Sequence, residues 1–406
     1  MYNKYKHQHF KEYFKLSKYL LLLFLTYSTI LISQNKVIVG AERSELYLNA
    51  LLGKRVGLVA NQTSKVKKEH LVDVLLNEGV NVIKVFSPEH GFRGKSDAGE
   101  KVKDEIDLQT GLPIYSLYGK SKRKPSKEIL KDIDIIVFDL QDVGVRFYTY
   151  ISSLHYVMEA CAENNVQLIV LDRPNPNGFY VDGPILDLKF RSFVGMHPVP
   201  VVHGMTIGEY AKMINGEKWL NNMILCSLEI IPCLNYNHNT RYVLPIPPSP
   251  NLPNMRSVYL YPSLCFFEGT NISIGRGTNF PFQVFGAPYF KKKEFSFTPM
   301  ATFGSKNPKY KSVTCYGSDL RNISLDTLKN TKKLNLNWLV DSYKISNESV
   351  DFFNKNNFFY LLSGTDKLMN LVKGGATPKH IYETYQKELN DFKTLRKNYL
   401  IYDDFE

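Results

Sequence analysis

Four short runs in the first half of the chain are apolar almost from end to end: RVGLVA at 55–60, VNVIKVF at 80–86, DIIVFD at 134–139 and QLIVL at 167–171. A strand with one face in water alternates polar and apolar residues. Runs this apolar belong to strands buried on both faces, as in a parallel sheet covered by helices. The segments between them supply the covers. Residues 69–76 read as one helix, 150–164 as a second with Ile151, Leu154, Val157, Met158 and Cys161 at helical spacing, and 206–214 as a third. Thr206, with Glu209 three residues on, opens the last of these. Strand and helix alternate from about 45 to 235, which predicts an α/β fold built on a Rossmann-like, doubly wound, mostly parallel sheet.

The proline-punctuated stretch 245–262 (PIPPSPNLPNMRSVYLYP) argues against a long helix or an inner strand and reads as an ordered linker or a long loop over a site. Beyond it, short strand-like runs and helical stretches at 361–373 and 378–396 predict a second, smaller α+β domain. At the other end, five lysines precede a 14-residue apolar stretch, Tyr19 to Ile32, followed by Ser33-Gln34. That pattern predicts a signal peptide over 1–34, export to the periplasm or beyond, and no stable membrane insertion after cleavage. The expected division is therefore 1–34 leader, 35–255 Rossmann-like domain and 256–406 smaller auxiliary domain. Without the leader the formal charge falls from +12 to +8. This excess suits an anionic wall polymer, and no basic helix or aromatic RNA motif points to nucleic acid. The five cysteines lack CxxC spacing, so neither zinc nor a redox motif is indicated.

Open α/β sheets bind ligands at the carboxyl ends of their strands, and here those ends are polar. The first stops at Asn61. The second runs into Ser-Pro-Glu-His-Gly-Phe at 87–92, where Glu89 and His90 stand between a proline and a glycine. The third ends at Asp139 and Asp142, and the fourth at Asp172, Arg173 and Asn175. His203 follows the apolar run 199–202 and would close a fifth strand. Arg146 beside Tyr148 suits a carboxylate-bearing sugar or peptide. Farther on, Glu268 in a Phe-Glu-Gly context is a second candidate carboxylate, with Asn271 and the Gly-Arg276-Gly turn behind it. Structural roles compete throughout: Asp142 could cap a helix, Asp172-Arg173 could stiffen a turn, and a lone His such as 203 often only packs.

Four motifs taken together, SPEHGFRG (87–94), DLQDVGVRFYTY (139–150), LDRPNPNG (171–178) and FEGTNISIGRGT (267–278), resemble the NamZ-like exo-β-N-acetylmuramidases in order and spacing. The resemblance implies a Rossmann-like domain with a smaller C-terminal domain and a cleft between them. It also implies release of N-acetylmuramic acid from the non-reducing end of peptidoglycan fragments without a cofactor. On the matching motifs it assigns the catalytic glutamate to Glu89 and a second acidic motif to Glu268. Glycoside cleavage generally takes two carboxyl groups, one of them a proton donor, and Glu89 is placed for that role. The second role stays open between Glu268, an Asp of 139–142 and the sugar's own acetamido oxygen. Arg146 or Arg276 is expected to grip the lactyl carboxylate. Two other readings compete: a metal-dependent hydrolase using Asp139, Asp142, His90 and His203, and a non-catalytic wall-binding protein.

Overall fold

Alternate residues of each apolar run enter different cores. Ile136 and Phe138 pack on one face with Leu168 and Val170, while Ile135 and Val137 pack on the other with Ile169 and Leu171. This two-sided burial is why the runs show no polar alternation. The computed structural model describes residues 36–89, 91–93, 105–119, 123–290, 293–346 and 351–406, so the expected leader lies outside the described residues.

The sheet has seven strands: β1 (Arg55–Ala60), β2 (Asn81–Ser87), β3 (Glu105–Ile106), β4 (Pro113–Ser116), β5 (Ile135–Asp139), β6 (Gln167–Leu171) and β7 (Leu228–Ile231). Their spatial order is β3-β4-β2-β1-β5-β6-β7, parallel throughout except for the two-residue edge strand β3. With β3 set aside, the order in chain sequence is 3-2-1-4-5-6, that of a doubly wound fold whose winding reverses between β1 and β5. Register pairs Ala60 with Asp139, so these two strands end flush. Helices α1 (Leu71–Asn77), α2 (Tyr150–Asn164) and α3 (Ile207–Gly216) cover the faces. Thr206 and Glu209 form the expected capping box on α3.

Two expectations up to residue 264 change. Residues 199–202 do not form a strand; Val202 makes only isolated bridges to Val145 and Asp182. The proline-rich stretch ends in a helix, α4 (Met255–Leu264), capped by Asn254 and carrying Pro262 inside it. Pro262 has no N–H to offer the carbonyl four residues back, that of Val258. Asn177 Nδ2 donates to that carbonyl at 3.3 Å, which replaces the lost helical bond.

In the C-terminal region, β8 (Val284–Ala287), β9 (Phe295–Phe297) and β10 (Cys315–Asp319) form an antiparallel sheet in the order β8-β10-β9. The expected helix at 361–373 is two, α5 (Phe358–Ser363) and α6 (Lys367–Lys373), because Gly364 at φ +71° ends the first. Helix α7 (Pro378–Arg396) follows. The tail then returns to the parallel sheet, where Tyr402 Oη donates to Asp172 at 2.6 Å and accepts from the Cys233 amide at 2.8 Å.

Several histidines are buried as neutral rings. His70 sets its Nε2 against the Asn61 carbonyl at 2.9 Å and accepts the Val72 amide on Nδ1, an arrangement only the neutral ring can make. Burial lowers His70 and His155 to about 4 and His203 to about 3. The unfolded chain therefore binds protons below pH 6.5 that the folded chain refuses, and stability is lost as pH falls from there. His70 alone contributes up to about 3 kcal/mol. Calorimetric Tm should stay level above pH 7 and drop steeply toward pH 4.5, with a shallower limb in His203→Gln. An unchanged Tm across that range would refute the assignment.

Candidate active site

Where the winding reverses, the loops after β1 and β5 leave in opposite directions and open a crevice. Asn61 builds its floor. Its Oδ1 accepts from the Thr63 amide and hydroxyl at 2.9 and 2.6 Å, and its Nδ2 donates to Tyr150 Oη at 2.7 Å. Ser64 Oγ donates to the Asp139 carbonyl at 2.5 Å and ties the two strand ends together.

Glu89 stands in the turn that leaves β2, closed by a 3.2 Å bond from the Gly91 amide to the Pro88 carbonyl. Thr149 Oγ1 lies 3.5 Å from Glu89 Oε2, so the carboxyl faces the amino-terminal end of α2. The Tyr118 phenol hydrogen-bonds to Glu89. Burial and then this carboxylate push Tyr118 above its ordinary range. Burial likewise raises Tyr150, which also feels Glu89. Glu89 is thus flanked by hydroxyls from two element ends, Tyr118 after β4 and Thr149 at the start of α2, with Tyr150 nearby. His90, the other half of the expected pair, lies outside the described residues.

The aromatic wall continues into the C-terminal region. Tyr148 packs edge-on to Tyr150 at 4.8 Å and to Tyr261 at 6.0 Å. Tyr261 in turn lies in the field of Glu268 and Arg276. These two form an ion pair at 2.5 Å, each about a quarter exposed, with Arg276 stacked 5.0 Å over Phe282. Beside this wall runs a groove of about 430 Å³ between Gln62, the 246–253 loop, Thr278, Asn279 and Phe303, with no charged side chain in its lining. The Pro248 carbonyl accepts from both Gln62 Nε2 at 3.2 Å and Tyr148 Oη at 2.9 Å, so groove and crevice share a border. Gln62 Oε1 is buried there without a partner. Gly277, at φ +79°, passes so close to the Met300 carbonyl that a Cβ would lie 2.4 Å from it, which accounts for the Gly-Arg-Gly turn as packing.

Other expected ligand-binding residues are hydrogen-bonded by protein groups and most are buried, though Asp142 Oδ1 and His203 Nε2 have no partner among the described residues. Asp139 forms a buried two-pronged pair with Arg173 at 2.5 and 2.8 Å. Asp172 accepts from the Arg173 and Gly208 amides, Thr206 Oγ1 and Tyr402 Oη, which fills both oxygens. Asn175 is held by Met205 and the Asn177 amide and sits against Gly144, where any Cβ would lie 2.1 Å from its Oδ1. His203 is wholly buried with only the Met205 amide on its ring. Asn271 bonds to the Asp351 carbonyl, while its own carbonyl accepts from Tyr289 and Tyr310. Asp142 accepts the Gly144 amide at 2.6 Å, and burial pushes its carboxyl up to about 7. Among the described residues no group of three or more His, Cys, Asp or Glu is placed to hold an ion, and His90 of the alternative metal set lies outside them.

Arg146 departs most from expectation. It is fully buried, and four of its five N–H groups donate to the carbonyls of Pro184, Val199, Leu362 and Ser363 at 2.6–3.0 Å. Burial lowers it to about 9, and it pins the end of α5 to the parallel-sheet region. Arg146→Lys leaves most of those carbonyls unserved. It should lower urea-unfolding stability by on the order of 3 kcal/mol while barely moving substrate KM. A shift in KM without a loss of stability would return Arg146 to the site.

Tyr118, Thr149 and Tyr150 were not among the expected residues. Thr149 and Tyr150 lay within the RFYTY run, and Tyr118 follows β4, which begins at Pro113 and so lacks the look of a buried strand.

The sequence matches the family model for the N-terminal part of exo-β-N-acetylmuramidase NamZ over residues 56–256, and the C-terminal model of that family over 259–402. It is 38% identical over 374 residues to the peptidoglycan β-N-acetylmuramidase NamZ of Bacillus subtilis, covering 88% of this chain and 89% of that one. A solved DUF1343 family protein from Bacteroides fragilis is 47% identical and superposes with a TM-score of 0.85, over 91% of this chain and all of that one. A second from the same organism is 30% identical with a TM-score of 0.73, over 90% and 99%. The crevice at the reversal point and the paired family models lead to one assignment: the chain belongs to the NamZ exo-β-N-acetylmuramidase family.

Proposed function

We propose that this protein is a glycoside hydrolase that releases N-acetylmuramic acid from the non-reducing end of peptidoglycan fragments, with Glu89 as the proton-transferring carboxyl. The observation that carries the reading is the placement of Glu89. It stands at the carboxyl end of a parallel strand beside the reversal point, held by Thr149 and Tyr118. A carboxyl fixed by hydroxyls can deliver a proton to a leaving oxygen without first reorganising. Asp139 is committed to Arg173 and Asp142 is buried, whereas Glu268, paired with Arg276, is about a quarter exposed and is taken as the second carboxylate.

The groove beside Tyr148 takes the sugar on the leaving side. Its uncharged lining, the face of Phe303 and the amide of Gln62 suit a neutral N-acetylated hexosamine. In the same reading, residues 1–34 export the chain, and the amino terminus of the exported protein would begin just after Gln34.

Wild-type protein should hydrolyse a chromogenic β-N-acetylmuramide and spare the matching N-acetylglucosaminide. Glu89→Gln should lower kcat by about 100-fold or more with intact folding. Turnover unaffected by Glu89→Gln would remove this residue from the chemistry, and binding without turnover would favour a wall-binding protein. Phe303→Ala should raise KM for muramic acid-terminated glycans several-fold and leave the small chromogenic muramide unchanged. Equal effects on both would empty the groove of its proposed sugar.

A further inference from the structure

We infer that Arg123 is the residue that recognises the lactyl carboxylate of the terminal muramic acid. This inference rests on the proposed exo-muramidase reading and adds the specificity determinant to it. A muramic acid residue differs from an N-acetylglucosamine residue by one carboxylate-bearing ether. An enzyme that separates the two needs a cation that is not already committed.

The arginines in contact with this end of the sheet are committed. Arg146 serves four carbonyls, Arg173 pairs with Asp139, and Arg276 pairs with Glu268. Among the described residues Arg123 is the one arginine with neither a hydrogen bond nor an ion pair, and its Nε is buried without a partner. The Nη groups of this half-buried guanidinium carry no hydrogen bond to the described residues and remain as donors for a ligand.

Its position is fixed by stacking. The guanidinium lies 4.2 Å over the ring of Phe193, which is 9% exposed. Phe193 is flanked by Tyr156, stacked at 6.3 Å, and by Tyr118, edge-on at 6.3 Å. Tyr118 is the phenol that hydrogen-bonds to Glu89, and it also feels the charge of Arg123. The sequence of contacts Arg123, Phe193, Tyr118, Glu89 thus puts two aromatic rings between the cation and the carboxyl proposed to act on the glycosidic oxygen. A stacked guanidinium presents a flat fork that pairs with a carboxylate in two-pronged fashion, whereas an ammonium does not.

The test compares a chromogenic β-N-acetylmuramide with its lactyl methyl ester, using wild-type protein, Arg123→Gln and Arg123→Lys. Wild type should favour the free acid on the order of 100-fold in kcat/KM. Arg123→Gln should bring that ratio to about one by losing far more activity on the acid than on the ester. Arg123→Lys should recover only part of the preference. An unchanged acid-to-ester ratio in Arg123→Gln would overturn the inference, and so would an equal loss on both substrates, which marks a packing role under Phe193. Calorimetric binding of free N-acetylmuramic acid separates this outcome from failure of the hydrolase reading. Protein that turns over neither substrate yet binds the sugar in an Arg123-dependent way would refute hydrolysis and keep Arg123. Affinity indifferent to Arg123→Gln would refute the inference with or without turnover.

Discussion

The reversal of winding between β1 and β5 is the constraint from which the rest follows. On either side of that line the chain departs in opposite directions, so no single connection roofs the flush ends at Ala60 and Asp139. The polar groups exposed there must be satisfied by side chains or by a ligand. Ser64 and Asn61 satisfy part of the need from within β1's own loop, and Tyr150 at the start of α2 meets Asn61 from the far side. Glu89, Tyr118 and Thr149 stand on the neighbouring strip.

Polar side chains at strand ends divide into two populations here, and burial decides between them. Asp139, Asp172, Arg173 and Arg146 are among the most deeply buried charged residues in the chain, and each is neutralised or hydrogen-bonded by protein groups. A charge taken wholly out of water is tolerable only with such partners, so these residues hold loops. Glu89 and Arg123 are only half-buried and belong to the other population. A motif places both kinds side by side, as when Arg146 and Tyr150 share one twelve-residue run, and nothing in residue type separates them.

Much of the architecture could be read from the chain because two-sided burial leaves a direct imprint on composition: β1, β2, β5 and β6 and helices α2, α3 and α7 were legible within a residue or two. The edge strands were not. β3, β4 and β7 are short or only half-covered, and Pro113 at the start of β4 signals a turn as readily as an edge. Losing β4 also hid Tyr118, since a strand end cannot be inspected for ligands before the strand is seen. The position of Glu89 at a strand exit was legible because its neighbours Pro88 and Gly91 mark a tight turn. Arg123 was not, because only the three-dimensional neighbours of an arginine reveal whether it is already engaged.

Helix α4 cannot close its own hydrogen-bond ladder, since Pro262 leaves the Val258 carbonyl to Asn177, 81 residues upstream. Synthesis proceeds from the amino terminus, so the chain produces the donor well before the acceptor that needs it. Helix α4 is thus finished by a loop of the preceding sheet, and a peptide spanning only the helix would carry a defect that its own sequence has no means to repair.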